Sequence, residues 1–297
     1  MSDEHHAPAR PLAERLGRAL RPPRQRYRPL RIDGVDAGWL TDARAARLRQ
    51  YDRVFRVEDD AVTFAPGLTS APARTRALAP VVATLAEEGA LSAWRDERYP
   101  CAPAFGVPPW FLVERAAARW FGIRTWAAHV NGLVRTGDGS AMWIARRSPA
   151  KAIDPGMLDN LVGGGIAAGE TVRAAVQREC WEEAGIPAAL AAQSAVTGTL
   201  TLRREGAGGL QWETIFVHDL WLPAEFVPAN QDGEVAAHRR VAFAEAARLL
   251  AASGGPDEVT VDASLVALDA LLRRAGTELF GDYATALRAL CARELPA

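Results

Sequence analysis

The sequence predicts an α+β fold in two parts: a small α+β N-terminal domain, then a mixed sheet packed between helices. Three observations carry this. Short apolar–polar alternations, punctuated by turn signals, are interleaved with helical stretches over the first third. Near residue 123 the pattern changes to longer apolar strands. Strand pairs then flank one helix, and three amphipathic helices follow towards the C-terminus. At 297 residues the chain is large for one domain without forcing two. The expected divisions are a flexible N-terminal arm over 1–26, an N-terminal α+β domain over 27–122 and a second domain over 123–297.

The arm, rich in Pro, Arg and Ala, reads as a helix fragment or loose segment. "YRPLRIDGVDAGWL" (27–40) gives two short strands around an Asp-Gly turn, and "TDARAARLRQYDRVF" a helix opened by a Thr-Asp cap. "VFRVEDDAVTFAP" alternates as a hairpin does, and "SAPARTRALAPVVATLAEEGAL" is a helix stopped by Gly89. "PPWFLVERAAARWFGI" reads as a further helix, with Pro108-Pro109 at its start and Gly122 past its end. Beyond 123, two apolar strands meet at "TGDGS", and glycines lead into a helix from about residue 170. A long hairpin turns at "EGAGG".

The formal net charge is -1, which disfavours a polyanion-binding surface, so nucleic acid is not expected as a partner. No apolar run is long enough to span a bilayer, and the N-terminus lacks the apolar core of a secretory signal. The three cysteines, Cys101, Cys180 and Cys291, are far apart and form no Cys-x-x-Cys, which favours a reducing, cytoplasmic setting. The His5-His6 pair is too short to read as a metal tract.

The chemistry concentrates in "GGGIAAGETVRAAVQRECWEEAGI" (163–186). At about 100° per residue, Glu179, Glu182 and Glu183 share a helical arc of roughly 100°. Like charges three and four apart destabilise a helix by a few tenths of a kcal/mol, roughly, per pair. A solvated face is one explanation for them. A hard divalent cation with oxygen ligands is the other.

Gly164, Glu170, Arg178-Glu179, Glu182-Glu183, Gly185 and Ile186 carry the spacing G-x5-E-x7-R-E-U-x-E-E-x-G-U, where U is a bulky apolar residue. The chain thus resembles the Nudix hydrolases, a loop-helix-loop set in an α/β/α sandwich. Cys180 stands at a U position and serves there as a small hydrophobe. The resemblance implies that Glu179, Glu182 and Glu183, with the Gly164 carbonyl, bind Mg²⁺ or Mn²⁺. It implies that Glu170 and Arg178 hold loop and helix in shape, and that a small-molecule diphosphate is hydrolysed to a monophosphate. Glu234 in "DGEV" is the candidate extra acid outside the box, with a helix start after the Asp232-Gly233 turn as the alternative. The base lies between Glu234 and a box glutamate.

"PGMLDNLVGGG" replaces the usual Trp-x-Leu-Pro-Gly-Gly lead. With "FGI", "HVNG", "DGEV" and the N-terminal "WRDERY" (94–99), it resembles the subfamily related to the Nudix part of fungal thiamine pyrophosphokinase. That narrower resemblance implies action on thiamine diphosphate and its oxidised or deaminated derivatives, a metabolite-repair role. Arg146, Arg147 and Lys151 are candidate diphosphate contacts, with exposed loop charges as the alternative, and Asp159 and Asn160 are candidates to orient the loop or touch substrate, or else to form a turn. Trp126, Trp143 and Trp212 are candidates to face a cationic thiazolium, or to pack the core. His129 and Asn131 read as hydrogen-bonded structure or, for His129, a base. The rivals are a nucleotide-sugar or dinucleotide pyrophosphatase, an isopentenyl diphosphate isomerase needing a reactive cysteine, and a non-catalytic ligand sensor. A monomer or homodimer is expected.

Overall fold

The computed structural model describes residues 8–292 except Asp138 and Ala207, which belong to the two expected hairpin turns. The His5-His6 pair lies outside the described residues. Helix α1 (Ala9–Ala19) comes first, then strands β1 (Tyr27–Ile32) and β2 (Val35–Thr41). They turn at Asp33-Gly34, both at positive φ, as a two-residue hairpin requires. Helix α2 (Asp42–Leu48) starts at Thr41, whose hydroxyl accepts from Arg44 N at 3.3 Å. The hairpin β3 (Phe55–Val57) and β4 (Val62–Phe64) completes a sheet of order β2-β1-β4-β3. Helix α3 (Ala71–Glu87) covers it, and Phe55, Phe111 and Phe121 lie in the shared core.

The expected helix over 108–121 is half strand. Residues Phe111–Glu114 form β6, paired with β5 (Arg98–Cys101), and only Arg115–Phe121 are helical, as α4. Phe111 and Val113 alternate inward, a period of two that suits a ladder, and the Glu114 side chain caps the short helix. Gly122, at φ 58, ends it in the left-handed conformation.

The second part holds a seven-stranded mixed sheet among the described residues. Its strands are β7 (Arg124–Thr136), β8 (Gly139–Arg147), β9 (Leu158–Asn160), β10 (Val162–Gly165), β11 (Ala195–Gly206), β12 (Gly209–Trp221) and β13 (Val235–Ala242). The main order is β11-β12-β7-β8-β13, with β10 on β7 and β9 on β8. β12 runs parallel to β7 and the other pairs are antiparallel. One face packs on α5 (Val172–Ala184) and α6 (Ala188–Ala191). The other packs on α7 (Phe243–Ala251), α8 (Val261–Phe280) and α9 (Tyr283–Cys291). Glu234 therefore precedes strand β13, not a helix.

The arm expected to be flexible contains α1, and α1 is docked. Ala9, Leu12, Leu16 and Leu20 are buried with α7, α8 and α9, in the core of the second part. Their spacing makes one apolar helix face, and each buried leucine contributes roughly 1.5–3 kcal/mol. Arg15 is buried too. It donates to Leu250 O at 2.8 Å, to Ser264 Oγ at 3.0 Å and to Val259 O.

On the opposite side of that helix layer, buried Asp219 of β12 accepts from Arg273 (2.8 Å), Arg274 (2.6 Å) and Asn131 (3.1 Å). Burial pushes its carboxyl up, but the arginine hydrogen bonds outweigh this and hold it below the usual Asp range. A depressed folded value stabilises the protein above the unfolded value, and that contribution is lost as pH falls through the folded one. Asp219→Asn should cost about 3 kcal/mol at pH 7. The gap to the parent should narrow below the ordinary Asp value of about 3.9. Urea unfolding at neutral and acidic pH measures both.

Candidate active site

Helix α5 is bounded sharply. Thr171 Oγ1 accepts from Ala174 N at 3.2 Å, and Gly185, at φ 62, closes the far end. Ile186 N reaches back to Cys180 O at 2.9 Å and Gly185 N to Trp181 O at 2.9 Å, which satisfies carbonyls of the last turn. A side chain at Gly185 would meet Ala229 O. The loop before β13 caps other helix carbonyls, through Gln231 N on Glu182 O (2.7 Å) and Ala229 N on Ala184 O (3.0 Å).

The three glycines of β10 lie where a Cβ cannot. At Gly163 it would press on the His129 ring, at Gly164 on the Glu179 carboxylate and at Gly165 on the Tyr99 hydroxyl. The strand can thus lie against the acid-bearing face of α5. Gly163 N donates to Glu183 Oε2 at 2.8 Å. Arg178 is the hub. It donates to Glu170 at 2.9 and 3.0 Å, to Glu179 at 2.6 Å, to Glu182 at 3.1 Å and to Gly165 O at 3.3 Å. Glu170 also accepts from Ala167 N at 3.2 Å, tying loop to helix.

Glu179 and Glu183 are buried, while Glu182 is partly exposed. Burial pushes both buried carboxyls up. For Glu183 the neighbouring Glu179 adds to the rise, and the Gly163 hydrogen bond only partly offsets it. A dication would relieve this. The donors are hard oxygens, three carboxylates with the Gly164 carbonyl beside them, which suits a divalent cation. As arranged, no group of three acid, histidine or cysteine side chains among the described residues is gathered to hold an ion. Arg178 Nη1 lies between Glu179 and Glu182, so a cation entering there displaces it from one or both.

A cleft opens beside this cluster, between the two parts of the chain. Its inner end is lined by Glu179, Glu182, Glu234, Lys151, Arg95 and Arg115. It continues past Gly163–Gly165 into a chamber walled by His129, Arg147, Asp159, Glu213 and Asp262. Lys151 pairs with Glu234, and Arg95 meets the same carboxylate at 3.0 Å. Burial raises the Glu234 carboxyl, but the Lys151 hydrogen bond and charge bring it below the usual range.

The remaining expected residues divide. Lys151, Arg147 and Asp159 face the cleft, the last two paired at 2.6 Å. Arg146 does not. Its guanidinium is held by Gly156 O, Pro256 O and Asp257. Asn160 is buried structure, bonded to His129 at 2.8 Å and Asn131 at 3.5 Å. Trp143 and Trp126 pack in the core, and Trp212 lies against Arg124 and Arg203, so none of the three lines the cleft. Each sits on a sheet strand, whose inward positions demand large apolar side chains. Sequence reasoning missed Arg95, Tyr99 and Arg115, although "WRDERY" contains the first two.

The domain of unknown function DUF4743 matches residues 13–125, and the NUDIX domain matches residues 125–262. Nudix hydrolase 20, chloroplastic, of Arabidopsis thaliana is 34% identical over 254 residues, covering 82% of this chain and 67% of that protein. The chain belongs to the Nudix hydrolases. Nudix hydrolase 24, chloroplastic, of the same plant is 36% identical over 224 residues, covering 75% of this chain. The chain spans 61% of that relative's length. The crystal structure of DR0079 from Deinococcus radiodurans aligns over 66% of this chain and 100% of its own, at 23% identity and a TM-score of 0.38. Nudix hydrolases generally use a divalent cation. Among the described residues no helix is long and apolar enough to cross a membrane.

Gly164→Ala tests the cradle. The added methyl should push Glu179 out of line, lowering turnover by about 100-fold. The Mg²⁺ activation curve should move to higher concentration while the melting temperature changes little.

Proposed function

We propose that this Nudix enzyme is a Mg²⁺- or Mn²⁺-dependent diphosphatase of thiamine diphosphate and its oxidised or deaminated derivatives, releasing the monophosphate in the cytoplasm. The observation that carries the substrate is an unpartnered buried carboxylate oxygen in the chamber next to the box. Asp262 lines that chamber, and one Asp262 oxygen is buried with no hydrogen-bond partner. Asp159 and Glu213 share the chamber walls. Unsatisfied buried carboxylate oxygens call for a donor or a cation. An aminopyrimidine supplies the donor and a thiazolium the positive charge. The subfamily wording "PGMLDNLVGGG" supports the same substrate. Three free cysteines, two of them buried, suit a reducing compartment.

Glu179, Glu182, Glu183 and the Gly164 carbonyl would hold the ion. When bound, it neutralises phosphate charge and makes water more acidic. Arg178 would free carboxylate oxygens there while still holding Glu170, which keeps loop and helix aligned. Lys151 would move from Glu234 to a phosphate oxygen, with Glu234 holding the side chain near the cleft until then. A general base works best with its pKa near the working pH. Lys151 and Arg95 hold Glu234 below the usual carboxylate range and occupy it, which makes it the poorer of the two base candidates. A cysteine-dependent isomerase fits poorly: burial pushes the Cys180 thiol up to about 12 and that of Cys101 higher still.

A Mg²⁺ turnover screen of oxythiamine diphosphate, thiamine diphosphate, ADP-ribose and NADH tests the substrate. The thiamine compounds should be hydrolysed faster, and faster turnover of ADP-ribose would sink the substrate claim. Glu182→Gln should lower turnover by about 100-fold or more. Unchanged turnover in that variant would end the metal-site reading.

A further inference from the structure

The N-terminal domain does not merely sit beside the cleft. It supplies two arginines to the end that holds the glutamates. Arg95 lies in the connection between α3 and β5, where Ala93 (φ 64) and Asp96 (φ 58) both take the left-handed conformation. Such strain persists only where surrounding structure enforces it. Here buried Glu114 contributes, accepting from Arg95 N at 3.0 Å and fastening the loop to the head of α4. The Arg95 side chain then crosses to Glu234 of the Nudix part, at 3.0 Å.

Arg115 is the first residue of α4. It lies over the Tyr99 ring, 5.7 Å from the centroid, and donates to Glu97 at 2.9 Å. Among the described residues Glu97 is the one acceptor it reaches, which leaves most of a five-donor fork available. Two-fifths of its side chain is open, and it opens onto both ends of the cleft. An arginine fork matches phosphate oxygens in pairs, with geometry that a lysine cannot reproduce.

We infer that the N-terminal domain is one wall of the diphosphate site, with Arg95 and Arg115 as phosphate-binding residues facing the box glutamates across the cleft. Three anionic oxygens or more enter with a diphosphate, and the box face offers them mainly carboxylates. The cations opposite are Lys151 from the Nudix part and these two arginines from the other. Before substrate binds, Glu234 occupies Arg95 and Lys151 as an internal carboxylate stand-in. A diphosphate takes its place at both. This rests on the diphosphatase reading above but not on which group the diphosphate carries.

The test uses the full chain and methylenediphosphonate, a non-hydrolysable diphosphate, titrated calorimetrically with Mg²⁺ present. Arg95→Ala and Arg115→Lys should each weaken binding about 10- to 100-fold. Arg95→Lys should recover part of the loss at that site. In turnover, KM should rise by more than kcat falls. Arg95 is partly exposed, so its variants carry the test even if a change at Arg115 disturbs folding. Binding by Arg95→Ala and by folded Arg115→Lys equal to the parent's would overturn the inference and leave the diphosphatase reading standing. No binding by the parent would bring down both.

Discussion

The Arg178 guanidinium is the interaction on which the site depends. Three glutamates on one helical arc repel one another, and two of them are buried. One cation in their midst, bonded at once to Glu170, Glu179 and Glu182, makes the cluster tolerable without an ion. The same side chain reaches a carbonyl of the glycine strand at 3.3 Å. The helix, the loop before it and the strand under it are therefore set by one residue.

Around that centre the two parts of the chain have different duties. In the Nudix part β10 lies close to α5 because Gly164 leaves room for the Glu179 carboxylate, while Gly163 and Gly165 make room for His129 and Tyr99. The N-terminal domain brings cationic residues to the opposite wall through a strained loop and the head of a short helix. The chamber beyond is formed by both. Its acidic residues lie far apart in sequence, Asp159 on β9, Glu213 on β12 and Asp262 on α8.

Local chemistry was legible in the sequence. The box spacing located α5, and the Asp-Gly turn and the Thr-Asp cap located the first hairpin and α2. What depends on tertiary partners was not. Phe111–Glu114 form a strand because Arg98–Cys101 lies alongside, and nothing local separates that from a helix entry. Arg146 and Arg147 are neighbours, yet strand alternation sends one to Asp257 and the other to the cleft. The tryptophans left a ring-binding site and core packing both open, and their strand positions face core or arginine. Arg95 and Arg115 could not be connected to Glu234 without knowing that the two domains meet there.

Helix α1 also has a consequence for how the protein is made. Its leucine face and Arg15 dock on α7, α8 and α9, and the contact from Arg15 to Leu250 spans 235 residues. On a ribosome adding about 5–20 residues per second, that partner emerges roughly 10–50 s after the helix does. Through this interval the N-terminal domain can close its own core, but α1 has nowhere to go. Helix α1, made well before its partners, is among the last elements to be buried, and until then it offers chaperones a short amphipathic handle.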